Sequence, residues 1–214
     1  MSEESPGPDA ADGGPGSGES PLPEATFDDL AGVVDLFGAL DRAELRRALA
    51  ELAFKRGESV DDDALADAIS QAVAGYYLVP VPADAAEVPP GSRGGERAEG
   101  PDDPDAAESS GTDADAGDAP DPLAVGPVAF PSLPPGAEDL PHILDVPERR
   151  VDRDALAERA VAQFRADTAR AVQAGDADRM TALLDASYDL EAWAAVDVAD
   201  VRERLDAALD DLDG

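Results

Sequence analysis

Residues 26–82 read TFDDLAGVVDLFGAL (26–40), DRAELRRALAELAFKRG (41–57) and ESVDDDALADAISQAVAGYYLVPVP (58–82). In the first block Phe27, Leu30, Val33, Val34, Phe37 and Leu40 recur at three- and four-residue steps, which sets them on one helix face. Thr26 stands where a hydroxyl caps a first turn carrying Asp28 and Asp29. In the second block Asp41 followed by Glu44 is a capping-box pair, and Gly57 stands where a helix stops. Leu45, Ala48, Leu49 and Leu52 form its inner face. Ser59 followed by Asp62 marks a third start, with Leu65, Ile69, Ala72 and Val73 facing inward. Tyr76-Tyr77-Leu78-Val79 then reads as a strand ending at Pro80. Three helices closing on a strand is the order of a winged-helix or related helix-turn-helix unit.

Working outward, residues 1–25 carry six acids and no base among Gly, Pro and Ser. Such a segment buries too little apolar surface to offset its chain entropy, so the sequence predicts a disordered acidic tail. Residues 83–121 form a second acidic stretch, with twelve acids against Arg93 and Arg97 and no Leu, Ile or aromatic residue. It is expected to be a disordered linker or wing tip. LAVGPVAF (123–130) is again β-like, and the reading pairs 76–81 with 123–130 as one antiparallel hairpin. An insertion at its tip is tolerated because loop-closure entropy grows only logarithmically with length. The proline-punctuated stretch 131–150 is expected to pack along the surface without regular structure.

Helical patterns return at Asp152. Leu156, Ala160, Phe164 and Val172 line one helix ending at Gly175, and Asp176 caps a second with Met180, Leu183 and Leu184 inward. Leu190 and Trp193 are assigned to a short third element, and Asp197 caps a last helix with the stripe Val198, Val201, Leu205, Leu209, Leu212. That stripe and Trp193 exceed what short helices hide from one another, so they are expected to pack on the N-terminal unit or its hairpin. The expected fold is mainly α: a winged-helix-like three-helix unit (26–82), a small β-hairpin, and a C-terminal α-helical part within 122–214.

The formal net charge is −33, and of the 16 basic residues only Lys55 is a lysine. A charge of that size bears on solubility and partners, not on fold. The acid excess, with arginine in place of lysine, points to adaptation to concentrated salt, where the Debye length falls to ~3 Å near 1 M. Cysteine is absent, which removes disulfides, thiolate metal sites and a cysteine nucleophile. The acidic N-terminus lacks the apolar core of a signal peptide, and no apolar run approaches the ~18 residues of a membrane span, so a cytoplasmic location is expected.

Catalytic patterns are few. His142, the sole histidine, lies between Pro141 and Ile143, and no GxSxG elbow presents a serine to it. PGSRGGERAEG (90–100) lacks the lysine of a phosphate loop. Asp113, Asp115 and Asp118 lack the closing glutamate of a calcium loop, and Asp61-Asp62-Asp63 suits a helix N-terminus without a metal. The expectation is no enzyme, no cofactor and no metal. A DNA-reading third helix is disfavoured because Asp61, Asp62, Asp63 and Asp67 would meet phosphate with no cation beside them. The candidate interaction patch is Arg42, Arg46, Arg47, Lys55 and Arg56 on the second helix. Intrahelical pairing with Asp41, Glu44 and Glu51 is the competing account of those cations.

LAGVVDLFGALDRAELRRALAELAFKRG, GPVAFPSLPPGAEDLPHILDVPERRVDRDAL and SYDLEAWAAVDV together resemble an uncharacterised family of haloarchaeal proteins. The resemblance spans roughly 26–82 and 122–214, implies a haloarchaeal cytoplasm, and transfers no site residue. The expected activity is non-catalytic protein interaction or regulation with a protein partner. The alternative is a DNA-binding regulator of winged-helix type working at high salt.

Overall fold

A computed structural model of the chain describes residues 24–58, 61–82, 84–89 and 121–213. The elements run α1 (Glu24–Asp35), α2 (Arg42–Lys55), α3 (Asp62–Ala74), β1 (Leu78–Pro80), β2 (Ala86–Glu87), β3 (Leu123–Val125), α4 (Leu140–Ile143), β4 (Arg150–Val151), α5 (Arg153–Ala174), α6 (Ala177–Trp193) and α7 (Ala199–Asp213). No helix among the described residues is long and apolar enough to cross a membrane.

The local signals of α2 fold as read. The Asp41 carboxylate accepts the amides of Ala43 and Glu44, and Glu44 accepts the Asp41 amide at 2.8 Å, closing the capping box. At the other end Gly57 takes φ 72°, with Gly57 N–H donating to Phe54 O and Glu58 N–H to Ala53 O. That pair of bonds is the Schellman motif, which needs a left-handed residue at this position.

Other boundaries move. Helix α1 begins at Glu24, so Thr26 lies inside it and is no cap; glutamate and alanine are good helix formers, and the helix extends upstream of Thr26. Helix α3 is capped by Asp61, whose carboxylate accepts from Asp63 and Ala64, while Ser59 lies outside the described residues. Leu190 and Trp193 do not form a separate element. They end α6, which runs on because no Gly or Pro interrupts 177–193. Asp197 stands one residue before the cap of α7 and accepts the Ala199 amide at 3.0 Å, while Glu191 accepts the Val198 amide.

Strands β1 and β3 pair antiparallel, with Leu78 opposite Val125, Val79 opposite Ala124 and Pro80 opposite Leu123. Leu40, between α1 and α2, exchanges both backbone hydrogen bonds with Leu123, so β3 lies between Leu40 and β1. Because alternate side chains leave a strand on opposite faces, this short ladder serves two cores. Leu78 and Leu123 join the apolar face of α1–α3. Val79 and Ala124 join α5–α7, where Phe164, Leu183, Leu190, Val198 and Leu205 are buried. The stripe as far as Leu205 thus shares one core with the hairpin, which it reaches through α5 packed on β1, while Leu212 is exposed.

Two stretches read as irregular acquire structure. Ala86 and Glu87, inside the acidic segment, pair as β2 with Val151 and Arg150 of β4. Residues 137–139 form a single 3₁₀ turn leading into α4, whose Leu140 is buried in the first core. The remainder of the expected tail and of the wing tip lies outside the described residues.

The stretch from Val128 to Arg149 is held against α1 by backbone approach. Ser132 N–H donates to Asp28 O at 3.1 Å and Phe130 N–H to the Asp28 carboxylate at 2.9 Å. A Cβ on Gly32 would lie 1.8 Å from the Ser132 carbonyl oxygen. Gly32→Ala must therefore push that strap away and should cost about 1–3 kcal/mol, the usual range for overpacking. Gly57→Ala meets nothing within 4 Å and bears only its left-handed φ, about 1–2 kcal/mol. Denaturant melts of the two variants check this: Gly32→Ala is expected to expose 130–133 to proteolysis, and Gly57→Ala to leave it protected.

Candidate functional site

The five cations of the sequence-derived patch do not act together. Lys55 reaches Asp139 at 3.2 Å and the Gly136 carbonyl at 3.5 Å, and Arg56 donates to the Pro135 carbonyl at 3.3 Å. These two hold the turn before α4. The Lys55–Asp139 pair contributes under about 1 kcal/mol, since the Asp139 side chain is 64% exposed and solvent screens it.

Arg42, Arg46 and Arg47 are the remainder. Arg42 makes one long contact to Ser70 Oγ at 3.4 Å, and none of the three forms an ion pair among the described residues. The intrahelical pairing weighed from the sequence is not formed: Glu51 makes no ion pair among the described residues, and Asp41 and Glu44 have other partners. The Asp41 carboxylate is committed to the cap, and Glu44 is committed to Arg149. Arg149 grips Glu44 with both ends of its fork, at 2.6 and 2.8 Å, and also donates to Ala39 O at 3.0 Å. With the two side chains 16% and 15% exposed, this bidentate pair is the most sheltered ion pair on α2.

With Leu45, Ala48, Leu52 and Ala53 turned inward, α2 presents Ala43, Arg47, Ala50 and Phe54 outward, all exposed. Phe54 is 78% exposed. The neighbouring α3 shows the opposite charge: Asp61, Asp62, Asp63, Asp67 and Gln71 are exposed, with no basic residue in the helix.

A second polar cluster, not legible in the sequence, sits where α3 meets α5. Tyr76 occupies the C′ position after α3 with φ 62°, donating its amide to Val73 O while Tyr77 N–H donates to Ala72 O. This is again a Schellman turn, but with a tyrosine where glycine is usual. Its buried phenol donates to Asp167 Oδ2 at 2.7 Å. Asp167 is also paired with Arg170 at 2.7 Å and Arg179 at 3.3 Å. Phe164 meets the Tyr76 ring edge-on at 5.9 Å, and the Arg179 guanidinium lies 5.9 Å from its centroid. Asp167, Arg170 and Arg179 line a cleft of about 590 Å³ with Ser70, Gln163 and Asp176, and Tyr76 and Phe164 are not in its lining. Tyr76, Asp167, Arg170 and Arg179 each have a partner in this set, so the cluster works as a clamp between the turn after α3 and α5.

His142 is exposed on α4. No group of three or more metal-ligating side chains occurs among the described residues, and Asp113, Asp115 and Asp118 lie outside them.

Residues 28–210 match the model of a Family of unknown function (DUF7109), and the chain belongs to that family. No curated protein and no solved structure matches it.

Burial, and then the hydrogen bond to Asp167, push the Tyr76 phenol far above its ordinary value. In the folded chain it keeps its proton where the unfolded chain loses it, near pH 10. Above that pH the unfolded state binds fewer protons, so stability falls as pH rises. Denaturation followed from pH 9 to 11 should show that decline in the native chain and a flatter profile in Tyr76→Phe. The variant should be about 1 kcal/mol less stable at pH 7, the worth of one hydrogen bond.

Proposed function

We propose that this family member is a non-catalytic interaction or regulatory module that docks a protein partner on the outer face of α2. The observation that carries the reading is the coincidence of Arg47, exposed and without an ion pair, and a 78% exposed phenylalanine on one face of a helix, with Arg42 and Arg46, also without ion pairs, half-buried beside α3, in a chain of net charge −33. Cations are scarce in this chain, and those of the C-terminal helices are mostly spent on intramolecular carboxylates, as with Arg159, Arg165, Arg170, Arg179 and Arg202. An exposed aromatic side chain beside an arginine without an ion pair is the composition enriched at protein interfaces.

The scaffold reading is winged-helix-like. What supports it is the connectivity: a bridging residue, Leu40, between the first two helices; a strand after the third; and an antiparallel partner returning across a long connection. In a DNA-reading module of that kind α3 would enter the major groove. Its four exposed aspartates would be repelled there, which favours protein over nucleic acid as the partner. The acid excess and the near-exclusive use of arginine support an organism with a salt-rich cytoplasm.

Affinity capture in molar KCl tests the reading, with native chain and Phe54→Asp as baits. A protein retained by the native bait and lost by the variant is the expected outcome. Reproducible DNA fragments, without a protein partner, would reverse the order of the two readings. In the same salt the melting temperature should lie well above its value in dilute buffer, because screening relieves self-repulsion; a flat curve would remove the halophilic part of the proposal.

A further inference from the structure

We infer that the occupant of the α2 face is a second copy of this chain, docked antiparallel through α2 about a twofold axis near Leu49. The inference rests on the reading of that face as a protein-docking surface. Ala43, Arg47, Ala50 and Phe54 follow spacings of four, three and four residues. At ~100° per residue they span an arc of about 60°, the narrow seam of a two-helix coiled coil. All four are exposed, and the seam is opposite the residues α2 buries.

The face is complementary to itself. With the axis near Leu49, each Phe54 falls over Ala43 of the second copy, where a small residue leaves room for the ring. Ala50 lies beside its own mate near the axis and allows the close approach of ~8 Å that small contact residues permit. Arg47 and Glu51 lie on the same flank of the seam, one turn apart. An antiparallel pair keeps each flank on its own side, so Arg47 of one copy meets Glu51 of the other, twice. Neither has an ion pair among the described residues, and the aliphatic stem of Arg47 can lie along the apolar seam while its head reaches the carboxylate. An acidic foreign segment would satisfy Arg47 but leave Glu51 facing like charge; a second copy satisfies both.

Helix α2 is only about 21 Å long, so the contact falls below the ~1,200 Å² of a standard interface and the dimer forms weakly. Two bodies of charge −33 repel, so association strengthens as salt rises.

Sedimentation velocity of the full chain in about 2 M KCl, from ~10 to ~300 µM, is the test, since screening is then nearly complete. The native chain should pass from monomer to dimer across that range. Phe54→Asp should remain monomeric, as should Arg47→Glu and Glu51→Arg alone, because each single reversal places like charges together in both reciprocal pairs. An equimolar mixture of Arg47→Glu with Glu51→Arg should restore the dimer, since both pairs are then opposite in sign. Circular dichroism melts show whether each variant is folded, and the mixture makes the reading independent of any small loss of stability. A native chain monomeric at the top concentration overturns the inference. So does a mixture that stays monomeric, or a dimer that survives Phe54→Asp. In the first case, a foreign protein captured by the native bait and lost on Phe54→Asp would identify the occupant and leave the docking-face reading standing, whereas DNA captured in its place would overturn that reading too.

Discussion

The antiparallel pairing of β1 with β3 is the contact through which both helical groups are built. Three residues on each strand suffice because every position has two-sided work. Leu78 and Leu123 close the core of α1–α3, while Val79 and Ala124 close that of α5–α7. Neither group hides its apolar face without the ladder between them. The strands approach across a connection of some forty residues, and the entropy of closing it exceeds that of a short turn only by a logarithmic term. The Leu40 bridge on the far side of β3 then sets that strand between the α1–α2 junction and β1.

The entry to β1 is where the chain departs from local preference. Helix α3 ends one residue later than its glycine would suggest, so Tyr76, not Gly75, takes the left-handed position at a cost of about 1–2 kcal/mol. The placement of Gly75 has its own cause: a Cβ there would lie 3.1 Å from the Tyr77 ring, which packs on Phe27. The hydrogen bond of Tyr76 to Asp167 and its edge contact with Phe164 offset the backbone cost and fix the direction in which β1 leaves. A strained turn is thus stabilised from a helix ninety residues away.

That distance explains what could be read in advance. The capping box at Asp41 and Glu44, the Gly57 stop and the β1–β3 pairing carry local signals of spacing, cap chemistry and β-propensity, and the chain follows them. The Glu44–Arg149 fork, the Tyr76–Asp167 clamp and the close approach of Ser132 to Gly32 join residues about ninety to more than a hundred positions apart. Nothing within a short window separates Gly32 from any helical glycine, or Arg149 from Arg150 beside it. The candidate patch divided for the same reason. Lys55 and Arg56 were claimed by a turn that reads, in sequence, as a plain proline-rich stretch.

Charge placement bears on how any surface here can recognise a partner. In the C-terminal part, Arg202 forms an ion pair with Glu191 at 2.8 Å and lies over the Tyr188 ring at 4.9 Å, and the same Glu191 accepts the Val198 amide at the start of α7. The Arg202 bond, with the Val198 amide, holds the Glu191 carboxyl below its ordinary range, so this support is lost as pH falls through that lowered value. Such pairs persist in concentrated salt because their atoms touch; at a Debye length of ~3 Å an attraction across open solvent does not. Long-range steering by net charge is then weak, and a docking face must work through contact geometry. The outer face of α2 meets that condition: an exposed aromatic ring, small residues that admit another helix, and an arginine and a glutamate one turn apart on one flank. The aspartates of α3, which would steer encounters in dilute buffer, act in such salt only on a group brought into contact, such as the phosphates of a groove the helix would enter. Recognition then shifts from the sign of a surface to the fit of a helix.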